Sequence, residues 1–130
     1  MSAFKQYEEI GAWKMGRELV KVVYRLTSKG EFAKDWGLRD QIRRAAVSIC
    51  SNIAEGFERR GNKEFIKFLW IAKGSAAEVS SQLYHAKDSL YISEDDFNAC
   101  YNHAKKICAA LNNLIKSISA SSRGTAYIRA

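Results

Sequence analysis

The sequence predicts an all-α fold, an up-down antiparallel four-helix bundle of left-handed twist. Three observations predict it. Proline is absent and glycine occurs only 8 times in 130 residues, so little interrupts helix propagation. Apolar residues recur at alternating three- and four-residue spacing in four separate stretches. The connections between those stretches are short, which favours antiparallel neighbours in a left-handed bundle. With 47% hydrophobic residues the chain is long enough for one domain with a real core. No repeat or linker divides it, so residues 1–120 read as the bundle and residues 121–130 as a flexible tail.

The first helix is expected over residues 7–28, from Ala12, Met15, Leu19, Val22 and Leu26, with Gly30 as its stop. A short connector carries Phe32 and Trp36. The second helix runs from Asp35 to Arg60, with Arg59 and Arg60 at the negative end of its dipole and Gly61 ending it. Its seam is Leu38, Ile42, Ala45, Ile49, Asn52 and Gly56. Asn52 is an amide where the pattern asks for a hydrocarbon, and leaving it buried without a partner costs roughly 1–3 kcal/mol. A partner across the seam is therefore expected, and that requirement sets helix register.

Asn62 is placed as the cap of the third helix, with Glu64 in its first turn. Phe65, Leu69, Ala72, Ala76, Val79, Leu83, Ala86 and Leu90 keep its heptad spacing. Ser93 with Asp96 resembles a capping box opening the fourth helix. Phe97, Cys100, Ala104, Ile107, Leu111, Leu114 and Ile118 form the last seam, and the pattern stops after Ala120.

Two helices carry more apolar surface than one bundle needs. Ala46, Cys50, Ile53, Ala54 and Phe57 widen the second helix's arc. Ile66, Trp70, Ala77 and Tyr84 form a second stripe on the third. One reading is a broad core face with a few exposed apolar groups. The other, favoured because the stripes are contiguous, is a homo-oligomer interface at Ile66, Trp70, Ala77 and Tyr84.

The net charge is +7, and its placement is uneven. Residues 1–30 hold six basic and three acidic groups, and the tail adds Arg123 and Arg129 with no acid. On the first helix Lys14, Arg17, Lys21 and Arg25 fall together opposite the seam, with Glu18 close by. Cations evenly spaced along one face suit the tracking of phosphates, so these four are the candidate contacts to RNA or DNA. Arg43, Arg44, Arg59 and Arg60 either extend that surface or pair with Asp40, Glu55 and Glu58. No groove-reading or aromatic RNA-binding signature is present, so any binding is electrostatic and weakly selective.

The chain holds little for catalysis. Cys100 and His103 lie one turn apart with His85 within reach, but Cys100 is on the seam, where a thiol behaves as a small hydrophobe. No metal or other cofactor is predicted. Two histidines and no glycine-rich phosphate loop leave no nucleophile–base pair, so no catalytic residues are assigned and the protein reads as a non-enzyme. Glu55 and Glu78 are better explained as helix-interface partners. A polar cluster of Arg44, Asn52, Glu55, Ser75 and Glu78 is expected where the second and third helices cross. No apolar run approaches the roughly 20 residues of a membrane span. Three cysteines form no even framework and the N-terminus has no signal-peptide core, which points to the cytoplasm.

The run Gln41-x-x-Arg44-Ala45-x-x-Ser48-Ile49-x-x-Asn52-Ile53-Ala54-Glu55-Gly56, followed by Phe65-x-x-Phe68-Leu69-x-x-Ala72-x-Gly74-Ser75-x-x-Glu78, resembles a known family. These are the four-helix bundle proteins encoded in intervening sequences of bacterial 23S ribosomal RNA genes. The accessory variability protein of diversity-generating retroelements is a relative. The resemblance covers residues 7–118. It implies a bundle that assembles as a ring, commonly a pentamer. For the retroelement relative it implies binding to nucleic acid and to a reverse transcriptase. No reverse transcriptase is visible in this chain, so that role is not carried over. Family members often carry Leu-Gly-Tyr-Ile where this chain has Ser89-Leu90-Tyr91-Ile92, and the missing glycine implies a differently built turn.

Two functional readings follow. The first is a non-enzymatic homo-oligomer that binds nucleic acid through the basic stripe with little sequence preference. The alternative is a protein-interaction scaffold whose basic face only solubilises it.

Overall fold

Ile10 begins the bundle. Its backbone is extended, at φ −74 and ψ 122, and its side chain is buried in the core. The structure, a computed structural model, describes residues 4–121. A 3-10 turn at Tyr7–Glu9 precedes α1 (Gly11–Thr27), α2 (Gly30–Lys34), α3 (Trp36–Glu58), α4 (Asn62–Asp88) and α5 (Glu94–Ser121). The helix expected from residue 7 is therefore broken at Ile10, because an extended residue there places its side chain under α1. The expected tail lies outside the described residues, as do Arg123 and Arg129; only Ser121 is described, and it closes α5.

The connector expected around Phe32 is a helix of its own. Phe32 is fully buried and stacks on Tyr91 with ring centroids 5.3 Å apart. The Tyr91 hydroxyl donates to Asp35 Oδ2 at 2.9 Å. Asp35 Oδ1 accepts from the Leu38 N–H at 3.1 Å and so caps α3. One carboxylate thus starts α3 and ties down the α4–α5 turn, while Trp36 beside it stays exposed.

Among the described residues three take positive φ: Gly30 (64), Arg60 (64) and Leu90 (62). Gly30 does not end α1; Ser28 caps it, and Gly30 opens α2. Arg60, not Gly61, takes the left-handed position after α3, and Gly61 rather than Asn62 is the N-cap residue of α4. Leu90 N–H donates to the Lys87 carbonyl at 3.0 Å, and Tyr91 N–H to that of Ala86 at 2.9 Å. These are the paired bonds of a Schellman turn. The turn is therefore closed as a glycine would close it, and Leu90 bears the left-handed strain with its side chain 89% exposed. That corrects the expectation of a differently built turn, and it removes Leu90 from the seam. At the next helix, Ser93 Oγ accepts from the Asp96 N–H at 3.0 Å, half of the expected capping box.

The long helices alternate in direction. Arg43 near the start of α3 reaches Thr27 at the end of α1, while Cys50 Sγ lies 3.5 Å from the Trp13 carbonyl. Ser48 meets Ser75 across α3 and α4. Lys73 reaches Asn112, and Tyr84 packs on Phe97, across α4 and α5. Helix α1 packs against α3 and α5, and α4 packs against the same two, so α1 and α4 occupy opposite corners. Leu19, Ile49, Leu69 and Ile107 fill the space between. Two glycines set the close approaches. A Cβ on Gly56 would sit 2.5 Å from the Phe68 Cβ, and one on Gly16 would sit 2.9 Å from Cys50 Sγ.

Candidate nucleic-acid interface

Helix α1 buries Ala12, Gly16, Leu19, Val23 and Leu26. At 3.6 residues per turn that choice turns Lys14, Arg17, Lys21 and Arg25 outward, and all four are exposed. Lys21 pairs with Glu18 at 2.9 Å, and that bond holds the Glu18 carboxyl below the usual carboxylate range. Among the described residues no carboxylate lies within ion-pairing distance of Lys14, Arg17 or Arg25. On the α5 side, His103 Nε2 lies 2.9 Å from the Met15 carbonyl. It lines a cleft of about 430 Å³ with Met15, Ala99, Asn102 and Lys106, which adds a cation beside the stripe.

Arg43 and Arg44 on α3 and Arg59 and Arg60 after its end divide into two pairs. Arg59 bonds Glu55 at 2.8 Å and approaches Glu64 at 3.7 Å, and Arg60 approaches Glu58 at 3.5 Å. Those charges are locally balanced. Arg43 and Arg44 make no such pair among the described residues, because Asp40 is held by Arg39 at 3.1 Å. Arg43 is fixed instead by neutral hydroxyls, donating from Nε to Thr27 Oγ1 at 2.7 Å and from a terminal nitrogen to Ser28 Oγ at 3.2 Å. Thr27 is fully buried and donates in turn to the Val23 carbonyl at 2.7 Å. The guanidinium lies over the Tyr24 ring, 4.4 Å from its centroid.

The polar residues at the α3–α4 crossing form a smaller network than the one expected. Ser48 and Ser75 hydroxyls meet at 2.9 Å and carry the link between helices. Asn52 Nδ2 donates to the Ser48 carbonyl at 2.8 Å and to Ser48 Oγ at 2.9 Å, within its own helix. Arg44 and Glu78 flank this network in a cleft of about 250 Å³, together with Gln41, Ala45 and Ser48. Glu55 points elsewhere, to Arg59. The partner required by Asn52 is thus one turn back on α3, and the serine pair takes the cross-helix place.

The surplus apolar surface also divides. On α3, Ala46, Ile53 and Phe57 are buried inside the bundle, because α3 is covered on two sides. On α4, Ile66 is half-buried, Ala77 is exposed, Trp70 is 50% exposed and Tyr84 47%. Tyr84 leans on Phe97 and Tyr101 with centroids 5.0 and 5.6 Å away, and Lys73 sits over the Trp70 ring at 4.9 Å. This stripe belongs to the corner opposite the basic face.

Nothing in the described residues gathers three or more metal-ligating side chains. Burial pushes the Cys50 and Cys100 thiols up to about 11, so both stay protonated near neutral pH. No helix among the described residues is long and apolar enough to cross a membrane.

The family model of the 23S rRNA-intervening sequence protein matches residues 8–113. The chain belongs to that family. A solved structure of similar fold is a protein of unknown function from the S23 ribosomal protein family of Bacteroides thetaiotaomicron. It is 24% identical, covers 81% of this chain and 98% of its own, and superposes with a TM-score of 0.74. No curated protein matches the sequence. At that identity the structural match establishes shared architecture alone. Within the family member described here, sequence reasoning placed the α1 stripe but missed Tyr24 and the two hydroxyls that hold Arg43. Their signal was available: Tyr24 lies seven residues after Arg17 and three after Lys21, on one face of α1.

Proposed function

We propose that this protein is a non-enzymatic homo-oligomer that binds RNA or DNA through the outer face of α1, with little sequence preference. The observation that carries the reading is the four exposed cations Lys14, Arg17, Lys21 and Arg25, of which only Lys21 is ion-paired among the described residues. The family's description, an association with ribosomal RNA genes, supports a nucleic-acid setting without naming a ligand. The exposed Trp70 and Tyr84 on the opposite corner support assembly through α4, which would leave α1 facing outward on every copy. Repeating a basic face around an assembly turns weak contacts into avidity when one ligand spans several copies.

Fluorescence anisotropy with labelled RNA and DNA tests this. The parent is expected to bind at low-micromolar concentration or tighter. If four phosphates are engaged on a duplex, log K against log salt is expected to fall with a slope of about −3.6. Lys14→Glu with Lys21→Glu is expected to abolish binding while circular dichroism and oligomer size stay unchanged, since both side chains face away from the core. A double variant that binds like the parent would make α1 a solvated face and leave the scaffold reading.

A further inference from the structure

The groove between α1 and α3 joins an exposed aromatic ring to a guanidinium held by two hydroxyls, whereas elsewhere on the basic face Arg17 lies 5.9 Å from the centroid of the half-buried Trp13 ring. Tyr24 is 41% exposed, and Val47 beside it on α3 is also exposed. Tyr24, Asp40, Arg43, Arg44 and Val47 line an open cleft of about 350 Å³.

Arg43 is the informative group. Two hydroxyls hold its ε nitrogen and one terminal nitrogen, so the plane of the guanidinium is fixed before any ligand arrives. The Tyr24 ring fixes it from a third direction. Hydroxyls and a ring orient a cation without neutralising it. The nearest acid in the cleft, Asp40, is occupied by Arg39. Arg43 therefore keeps its charge and its remaining terminal N–H groups. Arg44, the next residue, also keeps an unpaired charge among the described residues. Arg17 and Lys21 lie on the same face of α1 as Tyr24, about two turns and one turn before it respectively.

We infer that this groove is a platform for an unpaired nucleotide, so that the ligand of the basic face is single-stranded nucleic acid. This rests on the nucleic-acid reading above and narrows it. A base stacks against the Tyr24–Arg43 pair, and the flanking phosphates meet Arg44 on one side and Arg17 and Lys21 on the other. The chemistry favours a single strand over a duplex. In a duplex the base faces are already stacked and only phosphates are presented, so the ring and the guanidinium plane have nothing to receive. In a single strand every base offers a π-face, and a ring beside a charged groove binds it without regard to sequence. An acidic peptide would satisfy the arginines but make no use of the exposed ring.

The test compares a fluorescein-labelled oligodeoxythymidine, its oligouridine counterpart and a blunt DNA duplex of the same length, by anisotropy at one fixed salt concentration. The parent is expected to bind both single strands more tightly than the duplex. Tyr24→Ala is expected to weaken single-strand binding by about 5- to 100-fold, the range of one lost base–aromatic stack. Its duplex binding is expected to change by less than about twofold, because phosphate contacts are untouched. Tyr24→Phe, which keeps the ring, is expected to bind like the parent. Circular dichroism of each variant confirms the fold, and the tyrosine is exposed enough to be removed without opening the core. Equal affinity for strand and duplex, with Tyr24→Ala binding both like the parent, would overturn the platform and leave the basic-face reading standing. Equal loss of strand and duplex binding in Tyr24→Ala would also overturn it, since the ring would then act on phosphate contacts alone. If the parent binds none of the three probes, the basic-face reading itself falls, and the platform with it.

Discussion

The α1 corner and the α4 corner are built from the same kind of amphipathic helix and end up with opposite surfaces. Each helix rests on α3 and α5, and each has one outer face not covered by another long helix among the described residues. On α1 that face carries Lys14, Arg17, Lys21 and Arg25, and a charged outer face needs no cover. On α4 it carries Trp70, Ile71 and Ala77, flanked by Tyr84, interleaved with the exposed Lys67, Glu78 and Ser81, and those apolar groups remain in water unless something covers them. The difference teaches which side of this bundle gains by being buried. Covering the α4 face with another copy recovers roughly 25 cal/mol per Å² before the costs of association. Covering the α1 face with protein would strip water from Lys14, Arg17 and Arg25, which have no ion-pairing acid among the described residues, Lys21 alone being paired, to Glu18.

The comparison breaks most visibly at Trp70. Trp70→Glu places a charge at the centre of the apolar face and is expected to convert an oligomer to monomer in light scattering, with circular dichroism unchanged. Nucleic-acid binding should fall with it by about 100-fold or more, the avidity lost when copies separate. A variant that stays oligomeric would move the interface away from α4. A parent that is itself monomeric at micromolar concentration would leave the two faces unequal in chemistry only.

The two corners also meet α3 differently. Ala at Gly56 would drive its Cβ to 2.5 Å from the Phe68 Cβ, an atom tied to the α4 backbone. Ala at Gly16 would meet Cys50 Sγ at 2.9 Å and Ile49 Cγ2 at 3.2 Å, groups that have more freedom to turn. Gly56→Ala is expected to cost about 1–3 kcal/mol in urea unfolding, as overpacked cores do, despite the helix propensity gained. Gly16→Ala is expected to cost less. The reverse order would mean that α1, not α4, is the corner more tightly fitted to α3.

The smallest effect is expected at the end of α4. Leu90→Gly removes the left-handed strain of an exposed leucine and should raise stability by about 1 kcal/mol. A loss of stability would show that the Leu90 side chain makes contacts that outweigh its backbone cost.

Local chemistry was legible in the residue order. The seams of the four long helices follow from apolar spacing, whereas α2, at five residues, is too short to show a period and was expected as a connector. The outward set Lys14, Arg17, Lys21 and Arg25 follows from the helical period, because a side chain's angle around its own helix needs no neighbour to define it. The same holds for the stripe of Ile66, Trp70, Ala77 and Tyr84 on α4.

Anything that depends on which helix stands beside which was decided by the tertiary structure. Asn52 was expected to reach across to α4, yet it bonds Ser48 one turn back, and Ser48 and Ser75 make the crossing. Either partner would serve the amide's N–H groups, and the residue order alone does not choose between them. Ala46, Ile53 and Phe57 looked like surplus because one helix does not reveal that it will be covered on two sides. Arg43 had an acid three residues away in sequence and found two hydroxyls and a ring from α1 instead. A residue's period is a property of its own helix, whereas its partner is a property of the packing of two.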